Sequence, residues 1–171
     1  ILETTVANLL AIAVNNPTRN TLNKFSFAVS ETGATAAELN SIAAKTSVAP
    51  DFSKITTIEA SDAAAIKTLY TSTATGLGSE AITVNDTAIN AKDLNTINGY
   101  TNKTVTPTAT SITGEVTDVK SLLDTLVAQV EDTPSQLGIT LTNWNHDGDD
   151  GTTAEVKATT LPITITDATV D

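Results

Sequence analysis

The sequence predicts an α/β protein in which short strand–turn–helix repeats stack in a solenoid-like layer, followed by a β-hairpin-like C-terminal segment. Three observations predict it. An apolar pair spaced three apart recurs at a near-constant interval, a β-prone run precedes most of its copies, and the apolar residues are almost all small aliphatics. Of 171 residues 40% are hydrophobic but only 4% aromatic, so any core is made of Ala, Val, Ile and Leu. Such side chains fill thin layers well and wide cores poorly.

The helical segments read Asn8-Leu9-Leu10-Ala11-Ile12, Glu38-Leu39-Asn40-Ser41-Ile42, Ala65-Ile66-Lys67-Thr68-Leu69, Asp93-Leu94-Asn95-Thr96-Ile97 and Asp118-Val119-Lys120-Ser121-Leu122. Their leading apolar residues stand at positions 9, 39, 66, 94 and 119, which gives steps of 30, 27, 28 and 25. A period in this range is the mark of repeat architectures, in which one unit cannot bury both its faces and neighbours must do so. Ahead of the last four lie the strand-like runs Phe25–Val29, Ile55–Ile58, Ala81–Val84 with Thr87–Ile89, and Thr104–Ile112. Between run and helix a small residue marks the expected turn: Gly33, Ala60, Ala91 and Gly114. Ser61 or Asp62 suits the N-cap of the helix at Ala63–Leu69, Thr117 or Asp118 suits the first turn of the last one, and Thr35–Ala44 and Asp62–Leu69 are rich in the strong helix former Ala. The competing reading is one α/β domain whose amphipathic helices look alike because they all bury one face.

The pattern changes after a longer helix, Glu115–Val130, and a break at Thr133-Pro134. Residues 1–137 are therefore read as the repeat region, and 138–171 as a β-rich cap or the start of another module. Gly138–Thr142, Ala154–Ala158 and Leu161–Asp167 are strand-like, with Pro162 suited to an edge.

Composition excludes several classes of function. With no Cys, disulfide frameworks, zinc fingers and thiol nucleophiles are closed. The absence of Cys and Met also suits a long-lived extracellular protein that avoids oxidisable side chains. Nine Lys and Arg against 20 Asp and Glu give a net charge of −11, which repels nucleic acid. No segment is long and apolar enough to span a membrane. The start at Ile1 reads as that of a fragment or a mature product, with any export signal or anchor outside it.

Gly76–Val84, Thr87–Ile97 and Ser111–Val119 resemble degenerate Thr/Ala-rich repeats of very large secreted proteins of cyanobacteria and other aquatic bacteria, among them giant cell-surface proteins of swimming and surface-layer function. The resemblance covers residues 30–125, leaves out 138–171, and is interrupted in spacing around Ala43–Lys54. It implies an extracellular location and a structural or adhesive role, and it brings no catalytic residues with it.

One loop has the chemistry of a metal site. In Asn143–Gly151, Asn143, Asn145, Asp147 and Asp149 alternate, Asp150 adds a further carboxylate, and Gly148 and Gly151 permit sharp turns. Calcium takes six to eight hard oxygens, and such a loop supplies them. As a helix-loop-helix calcium loop it fails at its last position, where Ala154 replaces Glu and Glu155 falls one residue late. The plain alternative is an acidic hairpin turn.

Other constellations are weak. His146 is the sole His and no nucleophile elbow accompanies it, so a Ser–His–Asp triad has no support. Gly76-Leu77-Gly78 lacks the rest of a phosphate-binding fingerprint and reads as a turn. Thr at alternate positions from Thr104 to Thr110 would form one hydroxyl face of a strand, interrupted by Pro107.

The expected function is thus a non-catalytic structural or adhesive segment, with calcium as the one candidate cofactor. Its partners would be other copies of itself, neighbouring repeats, or a cell-surface glycan or protein. The rival reading is a ligand-binding module that uses the loops after Ala43, Tyr70 and Tyr100.

Overall fold

The computed structural model describes residues 1–12, 15–16, 21–131, 141–142, 158–159 and 163–165, with side chains for 1–12 and 23–125. Among these the protein is a mixed α/β structure of parallel sheets and several helices, with no closed barrel. No helix among the described residues is long and apolar enough to cross a membrane.

Chain order is β1 (Leu2–Thr4), α1 (Val6–Ala11), β2 (Asn15–Asn16), β3 (Thr21–Leu22), β4 (Phe27–Val29), β5 (Gly33–Thr35), α2 (Ala36–Ala43), β6 (Thr57–Ser61) and α3 (Ala63–Tyr70). It continues with β7 (Ala81–Val84), β8 (Ala88–Asn90), α4 (Ala91–Asn98), β9 (Val105–Pro107), β10 (Ser111–Gly114), α5 (Val116–Glu131), β11 (Leu141–Thr142), β12 (Ala158–Thr159) and β13 (Ile163–Ile165). β5, β6, β7 and β9 form a four-stranded parallel sheet, in which Ala34, Ile58, Ile82 and Val105 stand side by side and are buried. β8, β10 and β13 form a second parallel sheet, and β1 pairs in parallel with β4. Single parallel bridges at Ala28–Asp51 and Asp51–Thr75 extend the β1–β4 row. β2–β3 and β11–β12 are antiparallel pairs.

Each of the first four helices begins at a side chain that suits an N-cap. Thr5 accepts the Asn8 N–H, Asp62 the Ala65 N–H and Asn90 the Lys92 N–H, while Thr35 and Glu38 form a reciprocal capping box. Consecutive helices pack against one another from α1 to α5. Leu39 and Ile42, Ile66 and Leu69, Leu94 and Ile97, and Val119 and Leu122 all enter the core, as does Leu9, while Ile12 is half-buried. Burying one such side chain stabilises by roughly 1.5–3 kcal/mol.

The expected turn residues are placed differently. Gly33 and Ala60 lie within β5 and β6, and Ala91 is the first residue of α4. The strands run directly into the helices, because the N-cap residue is still extended and its side chain alone closes the first turn. The run Thr104–Ile112 divides into β9, which ends at Pro107, and the start of β10. In the C-terminal segment β11 and β12 pair with each other, whereas β13 joins β10 in parallel register, Ile112 beside Ile163.

Candidate functional site

The polar residues of the described chain hold neighbouring units together. Ser61 closes β6 and its hydroxyl accepts the Ala36 N–H at 2.9 Å, the first amide of the preceding helix. A register shift between β6 and β7 accompanies it, bringing Ser61 beside Val84. Asp86 does the same for the first amide of α3, accepting the Ala63 N–H at 2.7 Å, and Glu31 does it for α1 at Val6. These amides have no partner within their own helix, so an acceptor from the next unit satisfies them. Lys45, almost fully buried, donates from Nζ to the Leu10 and Ile12 carbonyls at 2.9 and 2.6 Å, closing the C-terminus of α1. Side chains also bridge helix to helix: Asn40 donates to the Ala65 carbonyl at 2.9 Å, and Lys67 pairs with Asp93 at 2.6 Å.

Threonine hydroxyls make further links to the preceding unit. Thr56 donates to the Thr32 carbonyl, Thr75 to Pro50, Thr108 to Val84 and Thr110 to Thr87. In the Thr104–Thr110 run, then, the last two hydroxyls are spent on backbone carbonyls.

The densest polar cluster joins the loops that follow α3 and α4. Glu80 is 1% exposed, and its carboxylate accepts the Tyr70 hydroxyl at 2.6 Å and the Gly78 N–H at 2.8 Å. Its carbonyl accepts the Thr101 hydroxyl at 2.7 Å. The Tyr70 and Tyr100 rings stack with their centroids 4.8 Å apart and their planes nearly parallel. Burial, and after it the bond to Glu80 and the charge of that carboxylate, push the Tyr70 hydroxyl well above its ordinary pKa. Gly76 has φ +83°, and a Cβ there would meet the Ser53 backbone N at 2.5 Å, so this turn requires glycine. Asp51, beside it, is held below its usual pKa by the Ser53 backbone and side-chain donors, with a smaller effect of Lys54. The buried Glu80 carboxylate accepts from Tyr70 and Gly78 and its carbonyl from Thr101, so the chemistry of this cluster is that of a clasp between two loops.

Asn143, Asn145, Asp147, Asp149 and Asp150, together with Trp144 and His146, lie outside the described residues. Among the described residues no group of three His, Asp or Glu side chains could hold a metal ion. Of the loops expected to make contacts, those after Tyr70 and Tyr100 are brought together by the ring stack and Glu80. The loop after Ala43 instead carries Lys45 and Thr46, whose side chains bond the Leu10, Ile12, Asn23 and Phe25 carbonyls.

Sequence reasoning missed Glu80, Lys45 and the acceptors Glu31, Ser61 and Asp86. The one available signal was an acidic or hydroxyl residue two or five positions before each helix start, and it emerges only after the helices are aligned. Comparisons of the chain with protein-family models, characterised proteins and solved structures found no match.

Proposed function

We propose that this chain is a structural or adhesive segment of a large secreted bacterial surface protein, whose strand–helix units stack as a short solenoid and which performs no catalysis. The recurrence of one junction carries this reading. In successive units an inward apolar pair sits at the same helical positions, and the first helix amide is held by a side chain of the next unit. Nearly every buried polar group contributes to holding units together, which is the economy of a scaffold. The predominance of Thr and Ala, with no Cys or Met, supports an extracellular setting. The natural partners are neighbouring repeats or further copies of the chain. An antibody raised against the chain should label intact cells of the source organism; labelling that appears only after permeabilisation would overturn the reading.

Calcium is proposed as a stabiliser at Asn143, Asn145, Asp147, Asp149 and Asp150, on the alternation of oxygen donors in that loop. Unfolding temperature should rise by several degrees in excess calcium relative to chelator, because a ligand of the folded state stabilises it. Asp147→Asn with Asp149→Asn should remove the rise. Equal unfolding in both conditions removes calcium from the account.

A second reading, an extracellular module for a glycan or protein, is favoured by the Tyr70–Tyr100 stack on joined loops. Binding to a glycan panel that is lost in Tyr100→Ala, at unchanged unfolding temperature, would establish it. Binding unaffected by that variant would count against it.

A further inference from the structure

The sequence has only two tyrosines, and the fold lays one on the other. Tyr70 closes α3, and Tyr100 stands two residues beyond the end of α4. Their ring planes differ by 4° with centroids 4.8 Å apart, which is contact distance for stacked aromatics. Bonds outside the ring pair hold both in place. The Tyr70 hydroxyl donates to the Glu80 carboxylate at 2.6 Å. Tyr100 is fixed through its backbone: its own N–H donates to the Ile97 carbonyl, the Thr101 hydroxyl to the Glu80 carbonyl, and the Asn102 N–H to the Gly78 carbonyl.

A chain without Cys or Met lacks the side chains that take up oxidants first. Its most readily oxidised groups are then the two phenols and Trp144. One of the phenols is also equipped to lose an electron. A phenol that gives up an electron becomes strongly acidic, so its proton leaves with the electron. The Glu80 carboxylate, 1% exposed, is already in hydrogen-bond contact to receive it. Burial and that carboxylate keep the Tyr70 hydroxyl protonated well above its ordinary range, so no phenolate forms beforehand to offer another route. Both rings are half-buried, within reach of electron transfer yet each facing the other rather than a second chain.

We propose that Tyr70 and Tyr100 form an oxidative cross-linking site, where a one-electron oxidant such as the oxidised haem of a peroxidase joins the two rings by a carbon–carbon bond. Each phenol gives up one electron and its hydroxyl proton, and two equivalents of oxidant are reduced. Glu80 accepts the proton of Tyr70, and solvent accepts that of Tyr100. The two phenoxyl radicals couple at carbons ortho to oxygen. The hydrogen on each coupled carbon then passes to the phenolic oxygen, which restores both phenols, so the product has two hydrogens fewer than the starting pair. Because the rings already touch, coupling needs a side-chain rotation and no encounter of separate loops. The link ties α3 to α4 covalently at the junction that Glu80 clasps. It goes beyond the scaffold reading and stands on the ring pair alone.

Photogenerated tris(bipyridine)ruthenium(III), a one-electron acceptor, tests it on the full folded chain at low concentration. The monomer should gain bityrosyl fluorescence, lose the mass of two hydrogen atoms and yield on digestion one product joining the peptides of Tyr70 and Tyr100. Its unfolding temperature should rise by several degrees, because the link removes freedom from the unfolded chain. Tyr100→Phe keeps a ring in the stack and should give no link. Glu80→Gln keeps an acceptor for the hydroxyl but takes up no proton, and it should slow the coupling about tenfold or more. A folded wild type that only gains oxygen at Trp144, or that couples only between molecules, overturns the proposal. So does equal coupling within the chain in urea, which would show that the stack contributes nothing. A folded Glu80→Gln chain that couples at the wild-type rate overturns the part given to Glu80. None of these results touches the scaffold reading, which labelling of intact cells decides separately.

Discussion

The α2–α3 junction and the α4–α5 junction use the same helical positions, yet they are bonded differently. Between α2 and α3, Ser61 takes the Ala36 N–H and Asn40 donates across to Ala65. Between α4 and α5 the residue corresponding to Ser61 is Gly114, at φ +156°, which lies close to Ala91 and has no side chain with which to accept. Asn95 corresponds to Asn40, but its Oδ1 is buried with no partner among the described residues, as is that of Asn98. The apolar pairs are nevertheless buried at both junctions, by Leu39 and Ile42 at one and by Leu94 and Ile97 at the other. The difference teaches that apolar burial is the constant term of the helix-to-helix contacts and polar bonding the adjustable one.

The largest expected effect is accordingly the same at both. Leu39→Ala and Leu94→Ala each remove a side chain with no solvent exposure, and each should cost about 2–5 kcal/mol in urea unfolding. A cost below about 1 kcal/mol at either position, within the range of surface substitutions, would show that its junction is held by something else.

The α3–α4 junction carries the Glu80 clasp and adds a pH dependence. Tyr70→Phe removes the hydroxyl bond to the Glu80 carboxylate and should cost about 1.5 kcal/mol, the low end for a bond to a charged group because the ring is partly exposed. In the unfolded chain Tyr70 loses its proton near pH 10.0, whereas in the folded protein its pKa is raised. Above that pH the unfolded state binds fewer protons than the folded one, so stability falls as pH rises. The advantage of the wild type over Tyr70→Phe should therefore be full below about pH 10 and shrink above it. A difference that stays constant through this range would mean that Tyr70 is not shielded as its burial and partner imply.

A loss of the same order, without the pH dependence, is expected at Ser61. Ser61→Ala leaves the Ala36 N–H without its acceptor and should cost about 1–2 kcal/mol in the same urea assay. An unchanged midpoint would mean that this amide finds another partner, and the α2–α3 junction would then resemble that of α4–α5.

The helices were legible in the sequence because each carries an apolar pair, and some add a capping side chain or an Ala-rich first turn. The sheets were less so. β5 and β8 have three residues each, and Gly33 and Ala60 read as turn residues because no alternation surrounds them. The pairing of β13 with β10 joins residues some fifty positions apart, which no local pattern encodes. Nothing in the local sequence around Glu80 marks it out. It is buried because Tyr70 and Gly78 converge on it, and that convergence is tertiary. The junction acceptors Glu31, Ser61 and Asp86 differ in residue type and in distance from their helix, so no motif search would group them. The Asn143–Gly151 loop, with its alternating oxygen donors, was the clearest chemical signal in the sequence, and it lies outside the described residues.

The finest contrast between the two junctions is a single pair of asparagines. Asn40→Leu breaks a bond to Ala65 and leaves that carbonyl short of a donor, at an expected cost of about 1 kcal/mol. Asn95→Leu removes a buried oxygen that has no partner among the described residues, and the leucine adds apolar contact in its place. Exchanging an unsatisfied polar atom for an apolar group is neutral to stabilising, so the urea midpoint of Asn95→Leu should equal or exceed that of the wild type. Opposite signs at corresponding positions would establish that polar bonding varies from one helix pair to the next while their apolar packing does not. Equal losses would mean that Asn95 bonds across to α5 as Asn40 bonds to α3, and the two junctions would then be one design.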